Sequence, residues 1–190
     1  MRASKAHMDK VKSTILDAAG KGFREEGYGG LGINGLSKRA GLTSGAFYGH
    51  FSSKSEAFQE VVEKGLHEYA DTIKHLIDEY GDSWPQHFLD YYLGKQHVGD
   101  LACSCAVPGL SADVMRADDA IKQTYSSESL QIATNIATGL KRKDTQDAWA
   151  LMALLAGAVM MARSVADPDQ SKEILDATRH WADKIVAQQK

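Results

Sequence analysis

The sequence predicts an all-α protein, and three observations carry that prediction. Apolar residues recur at steps of three and four over long stretches. No stretch alternates apolar and polar residues with the period of a strand. Only three prolines, Pro85, Pro108 and Pro168, interrupt 190 residues. The expected layout is a three-helix head over residues 1–54 and a helical body over residues 55–190.

The first helix is expected over about 9–26, because Val11, Ile15, Ala19 and Phe23 recur every four residues and Gly27 can end it. The residues before it read as a basic arm. Ile33, Leu36 and Ala40 mark one face of a short second helix. Gly41 closes that helix, since a left-handed position after a helix costs glycine almost nothing. Thr43 is placed as N-cap of a third helix, running through Phe47 to about His50. Ser53-Lys54-Ser55-Glu56 reads as a capping box that opens a fourth helix over about 54–80. Phe58, Val62, Leu66, Tyr69, Ile73, Leu76 and Tyr80 form its stripe, over a length on the order of 40 Å. Gly81 to Pro85 breaks the chain. A short helix is expected over 85–95, an irregular segment from Gly94 to Pro108, and two helices over 109–117 and 119–141. Residues 147–166 are apolar around most of a helical circumference, as in a helix buried on more than one side. Asp167 and Pro168 then supply N-cap and first residue of a last helix reaching about 187.

Residues 32–54 give helix, glycine-containing turn, helix, the arrangement that lays a second helix in the DNA major groove. Gly45, Ala46 and Gly49 are small enough for a duplex to approach closely. Tyr48 and His50 offer polar tips, and Lys54 a cation. An ordinary helical hairpin accounts for Phe47 and Phe51 as core, but not for the small residues around them, which lower helix propensity and pack little. Charge is divided in the same sense. Residues 1–54 hold nine Lys/Arg and four acids, net +5, and the remainder holds 13 basic and 21 acidic residues, net −8. A basic head suits docking on a polyanion; chance variation with a solvated face is the plainer reading.

Residues 15–58 resemble the N-terminal domain of the TetR family of one-component transcription regulators. ILDAAGKGFREEGY is similar to the family's first helix, and AGLTSGAFYGHFSSKSEAF to its recognition helix and exit. The resemblance implies a homodimeric, all-helical repressor that a small ligand releases from a palindromic double-stranded DNA operator. It places Asn34, Ser44, Gly45, Ala46, Tyr48, Gly49 and His50 at DNA-facing positions, and Thr43, Tyr48 and Lys54 at phosphate-contacting ones. Gly32 departs from the family pattern, which has Thr or Ser there. Glycine caps a helix acceptably but brings no hydroxyl to a phosphate, and Asn34 stands nearby as a partial replacement.

In the body, Trp84, His87, Phe88, Tyr91 and Tyr92 form an aromatic cluster. With Tyr125, Trp149 and Met152 they either line an apolar ligand pocket or pack as core; the resemblance puts an inducer pocket among these middle helices. The expected effector is small, apolar or aromatic. Cys103 and Cys105 precede AVPGLSADV, and similar segments in some family members start a helix with a cysteine near the ligand cavity. A thiol at a helix N-terminus is acidified and more reactive, so a redox- or electrophile-sensing repressor is the alternative to a pocket; inert buried thiols are the plainer reading. The last two helices are the expected dimer interface, through Leu151, Leu155, Val159, Ile174, Thr178, Trp181 and Ile185, with a monomer core as the other use of those residues. Glu63, His67 and Asp71 share a helix face at metal-ligand spacing, but HExxH and GxSxG are absent. No enzyme, metal site or cofactor is therefore expected, a metal-dependent helical enzyme and an effector-free nucleoid-type DNA-binding protein being the remaining readings. No run of 18 apolar residues predicts a membrane span and no secretory core opens the chain. Two cysteines two residues apart make no disulfide framework. The expected compartment is the cytoplasm.

Overall fold

The computed structural model describes residues 5–187, in which helices and their connections are present and strands are not. In chain order the helices are α1 (Lys5–Gly30), α2 (Ile33–Arg39), α3 (Ser44–Tyr48), α4 (Lys54–Tyr80), α5 (Trp84–Tyr92), α6 (Lys95–Gly99), α7 (Ala106–Val114), α8 (Asp119–Gly139), α9 (Gln146–Ser164) and α10 (Pro168–Ala187), with a 3₁₀ turn at Gly81–Ser83. They form two compact units. The first takes the chain up to Gly65 together with Leu101–Tyr125, and the second takes Leu66–Asp100 and the chain from Ser126 onward. Of the three points where the chain passes between units, two fall inside helices, α4 and α8, and one in the connection between α6 and α7. The residue-54 boundary expected from chain order is thus not where the packing divides: residues 101–125 join the head's unit.

In the first unit Ile15, Ala19 and Phe23 of α1 pack with Leu31, Leu36, Phe47, Phe51 and Phe58, all essentially buried. Phe23 meets Phe58 edge-on with centroids 5.2 Å apart, a favourable arrangement of ring quadrupoles. Helix α1 starts four residues before the expected position, so the part of the basic arm from Lys5 to Met8 is helical; residues 1–4 lie outside the described residues. The helix breaks at Gly27, as expected. Its φ of 73° and ψ of 166° belong to a region closed to other residues, and helical structure resumes to Gly30. Helix α7 packs on α1. It begins three residues before the expected 109, since Pro108 sits in the first turn, where its missing N–H has no helical acceptor to lose.

In the second unit α9 packs along α10. Tyr69 and Ile73 of α4, Trp84, Phe88, Leu89 and Tyr92 of α5, Ile132 and Ile136 of α8, and Leu151, Leu155 and Val159 of α9 are buried there. The Trp84 Nε1–H donates to the Gly139 carbonyl at 3.1 Å. Arg142 is nearly buried; it pairs with Asp147 at 2.8 Å and donates to the Ile185 carbonyl at 3.1 Å, tying the start of α9 to the end of α10. Asp167 caps α10 as expected, its Oδ1 accepting the Asp169 N–H at 3.0 Å. Helix α9 is long and apolar enough to cross a membrane, with mean hydropathy 1.2; one face of it is core of this unit.

Candidate functional site

The turn between α2 and α3 is built by local rules. Gly41 has φ +70°. The Leu42 N–H donates to the Ser37 carbonyl at 2.9 Å and the Gly41 N–H to Lys38 at 3.1 Å, the pair of bonds that closes a helix through a left-handed residue. Thr43 follows in extended conformation, and its Oγ1 accepts the Ala46 N–H at 3.2 Å. That satisfies one of the donors a helix start leaves open. The Ser44 hydroxyl donates to Asn34 Oδ1 at 2.7 Å, linking α3 to α2. Phe47 points inward and is fully buried.

The opposite side of α3 faces outward. Tyr48 is 58% exposed; Asn34, Thr43, Gly45 and Gly49 are exposed, and Ser44, Ala46 and His50 partly so. The two glycines differ. A Cβ on Gly49 would come within 3.2 Å of the Ala46 carbonyl oxygen, so the fold itself accounts for a small residue there. A Cβ on Gly45 would meet only Thr43 Oγ1, at an ordinary 3.8 Å. Nothing in the fold requires glycine at 45. Gly32 caps α2 with no side-chain bond and open space around it.

Lys54 does not reach outward. Its Nζ donates to the Tyr28 carbonyl at 2.7 Å and to Leu31 at 3.2 Å, and lies 4.0 Å from the centroid of the Tyr28 ring. It clamps the end of α1 onto the start of α4, which replaces the expected phosphate contact. The capping box is half formed. Ser53 Oγ accepts the Glu56 N–H at 3.1 Å, but the Glu56 carboxylate reaches one residue further back, to the Ser52 N–H and hydroxyl, both at 2.6 Å. Those bonds hold the Glu56 carboxyl below its ordinary range. Several cations of the first unit are paired within it: Arg39 with Glu25 and Glu26, Lys12 with Glu60, and Lys64 with Asp17. Lys38 stands exposed at the end of α2. A contact not foreseen from sequence holds the break in α1. Asp113 of α7 accepts the Tyr28 N–H at 2.9 Å and pairs with Arg116 at 3.0 Å. The backbone of Tyr28 is therefore held at its N–H by Asp113 and at its carbonyl by Lys54.

Residues 15–61 match the sequence model of bacterial regulatory proteins of the tetR family. Over these residues the chain is similar to the DNA-binding domain of the TetR family. It is 36% identical over 62 residues to the HTH-type transcriptional regulator AcrR of Shigella flexneri, covering 33% of this chain and 29% of that one. It is 33% identical over 67 residues to the HTH-type regulator YfiR of Bacillus subtilis, covering 35% and 33%. The chain thus spans about a third of the length of these curated relatives. Likeness in fold extends further. The reduced form of NemR from E. coli superposes with TM-score 0.78 at 20% identity over 95% of this chain and 98% of that one. FadR from Bacillus subtilis, in complex with stearoyl-CoA, gives 0.66 at 14% identity over 94% and 99%. The first three helices thus match a tetR-type helix-turn-helix domain, and the fold of the whole chain is like that of these solved structures.

The body distributes its candidate residues differently from the expectation. Trp84, Phe88 and Tyr92 are buried core, with Phe88 and Tyr92 centroids 5.5 Å apart. Met152 is buried, and Trp149 is exposed on α9. His87 and Tyr91 face outward, and His87 stacks on Tyr80 with centroids 3.7 Å apart. These two, with Glu68, Asp71, Leu76 and Tyr80, line an open groove of about 680 Å³. Cys103, Cys105 and Tyr125 belong to the first unit. There the Tyr125 hydroxyl shares a 2.7 Å hydrogen bond with Ser111, Cys105 precedes α7, and Cys103 is exposed.

Leu151, Leu155 and Val159 are completely buried within the single chain, so they are core rather than interface. Thr178 is buried too, donating to the Ile174 carbonyl at 2.8 Å; Ile174 and Ile185 are half-buried. Trp181 is 57% exposed, and Trp149, Met160 and Met161 are exposed on α9. A helix apolar all round offers no periodicity from which to choose its inner face. His67 Nε2 pairs with Glu128 at 2.7 Å, and among the described residues no three potential ligands are placed to hold a metal ion. His97, singled out by nothing in the sequence, is buried against Tyr92 with centroids 4.5 Å apart. Burial, with the charge of Arg163 adding to it, pushes its pKa down to about 4.

Proposed function

We propose that the chain is a cytoplasmic, homodimeric repressor that binds a two-fold symmetric operator through α3 and is released by a small molecule. The observation that carries the DNA half is Gly45. A helix of five residues, capped at both ends, keeps a glycine where its own fold would accept a side chain. Close approach of a duplex supplies the reason. Tyr48 and Thr43 reach phosphate, Asn34, Ser44 and His50 flank the groove, and Ala46 and Gly49 leave room for it. Lys54 acts indirectly, by holding α1 against α4. One recognition helix reads few base pairs, and a dimer joins two half-sites about one helical turn apart, roughly 34–36 Å. The surface that favours a dimer is the exposed apolar set Trp149, Met160, Met161 and Trp181. A neighbour of the same fold that holds stearoyl-CoA supports a body able to take an apolar ligand. A ligand moves the chain off DNA only as far as it binds the DNA-incompetent state more tightly.

The experiment is selection of duplexes from a random pool by the purified chain, followed by binding of the selected sequence. A two-fold symmetric site and a dimer in sedimentation are expected. Enrichment of nothing, or a monomer binding at full affinity, contradicts the proposal.

One observation favours a second reading. Cys103 is exposed and Cys105 leads into α7, so oxidation or an electrophile could act on that segment. Release from DNA that persists when both cysteines are replaced by serine assigns the signal to a ligand; release abolished by that change assigns it to the thiols.

A further inference from the structure

We infer that a cleft in the first unit, where the end of α1, the first turn of α4 and the α7–α8 connection meet, binds a small α-amino acid as its zwitterion. The residues that line the cleft all belong to the first unit. Its volume is about 320 Å³, at the small end of the range for small-molecule sites. Ala117 and Ile121 contribute apolar surface, and Ser55 a hydroxyl. The charged lining is Asp113, Arg116 and Asp118, and those three are not equivalent. Asp113 is spent on the fold: one oxygen accepts the Tyr28 N–H at 2.9 Å, and the other meets Arg116 at 3.0 Å. Arg116 makes that bond from a single Nη, and its side chain is 65% exposed. Asp118 accepts from the Ser55 hydroxyl at a long 3.4 Å and forms no ion pair among the described residues.

The cleft therefore offers a guanidinium with donors to spare and a carboxylate without a cation. Residues 116 and 118 are two apart, so their Cα atoms lie within about 7 Å of each other. An α-amino acid carries an ammonium and a carboxylate on one carbon and meets both groups at once. Its carboxylate accepts from the guanidinium, whose planar fork suits that group. Its ammonium donates to Asp118, with the Ser55 hydroxyl alongside. A side chain of a few carbons covers the apolar surface of Ala117 and Ile121. An amine without a carboxylate leaves the open donors of Arg116 to water. A carboxylate without an amine brings a like charge beside Asp113 and Asp118. Tyr28 and Gly29 of α1 also line the cleft, so the occupant adds to the hold that Asp113 has on the break in α1.

The test titrates three compounds of one carbon skeleton into the full chain by calorimetry: L-leucine, isoamylamine, which lacks the carboxylate, and isocaproate, which lacks the amine. Leucine should bind at least about tenfold more tightly than either. Arg116→Gln and Asp118→Asn should each weaken leucine binding by about three- to tenfold. Both positions are exposed. Asp118 immediately precedes α8, its carbonyl accepting the Lys122 N–H at 3.2 Å, and asparagine caps a helix as well as aspartate does. Thermal melts should therefore show both variants folded, and saturating leucine should raise the melting temperature of the parent chain more than that of either variant. Absence of leucine binding overturns the inference. Isoamylamine binding as tightly as leucine makes the cleft a simple cation site, and isocaproate binding as tightly makes it an anion site; either result overturns it too. So does leucine binding that ignores both substitutions, which places the ligand elsewhere. The titration contains no DNA, so this inference and the operator proposal can each fail while the other stands.

Discussion

Helices α3 and α5 carry the two sets of side chains on which the functional reading depends, and they are specified in different ways. Helix α3 has five residues and is fixed from its ends, by the Gly41 turn before it and the Thr43 cap. Its outer face is small and polar, its inner face is Phe47, and neighbouring residues decide both. Helix α5 has nine residues and almost no cap. Its rings face both ways, and packing against α4 and α8 decides which of them are core. Local chemistry therefore positions the outer face of α3, whereas tertiary burial positions the outer face of α5.

The largest expected effect separates the two faces of α5. Phe88→Ala should cost about 3–5 kcal/mol in urea denaturation, as for a fully buried ring, while Tyr91→Ala should stay within about 0.5 kcal/mol. Similar costs for both would erase that division.

Next is a pH effect on the same unit. His97 is neutral when folded down to about pH 4, whereas an unfolded histidine takes a proton near 6.5. Between those values the unfolded state binds more protons, so stability is full above 6.5 and falls as pH drops towards 4, by roughly 2–3 kcal/mol. His97→Phe should flatten that slope in denaturation curves taken at successive pH values; an unchanged slope would assign it to other groups.

In the head, Lys54→Ala should cost about 1.5–3 kcal/mol, because it leaves two carbonyls without a charged donor. If Lys54 met phosphate instead, stability would hold and the slope of log affinity against log salt would fall by about 1. A smaller effect contrasts two helix ends. Gly41 and Lys141 both occupy left-handed positions, at φ +70° and +57°. Gly41→Ala should destabilise by about 1 kcal/mol, and Lys141→Gly should stabilise by up to about that much, less whatever the Lys141 pair with Asp82 contributes. Equal and opposite thermal shifts are not required; a destabilising Lys141→Gly is the result that counts against the account.

Those two helix ends also show what the sequence could disclose. Gly41 announces its turn, because glycine is the residue that turn prefers. Lys141 announces nothing, and the helix expected to reach 141 stops at Gly139. In α5 the information was present but needed a face assigned: residues 84, 88 and 92 step by four and point inward, while 87 and 91 step by four and point outward. Counting rings without that step mixed core with groove. The inner face of α9 was not legible at all, since alanine, leucine and methionine surround it. Lys54 was legible as a cation but not as a clamp, because its acceptors lie 23 and 26 residues away. The Asp113 contact to Tyr28, across 85 residues, lies further still beyond any local pattern.

The central claim is that the outer face of α3 docks on DNA, and Gly45 tests it most directly, because the fold leaves room for a side chain there. Gly45→Ala should leave the chain as stable as before, or more stable by up to about 1 kcal/mol through helix propensity, and should weaken binding to its selected duplex by at least about tenfold, roughly 1.4 kcal/mol. Melting and duplex titration on one sample read both quantities. An alanine variant that binds the duplex as tightly as the parent chain would contradict the docking face.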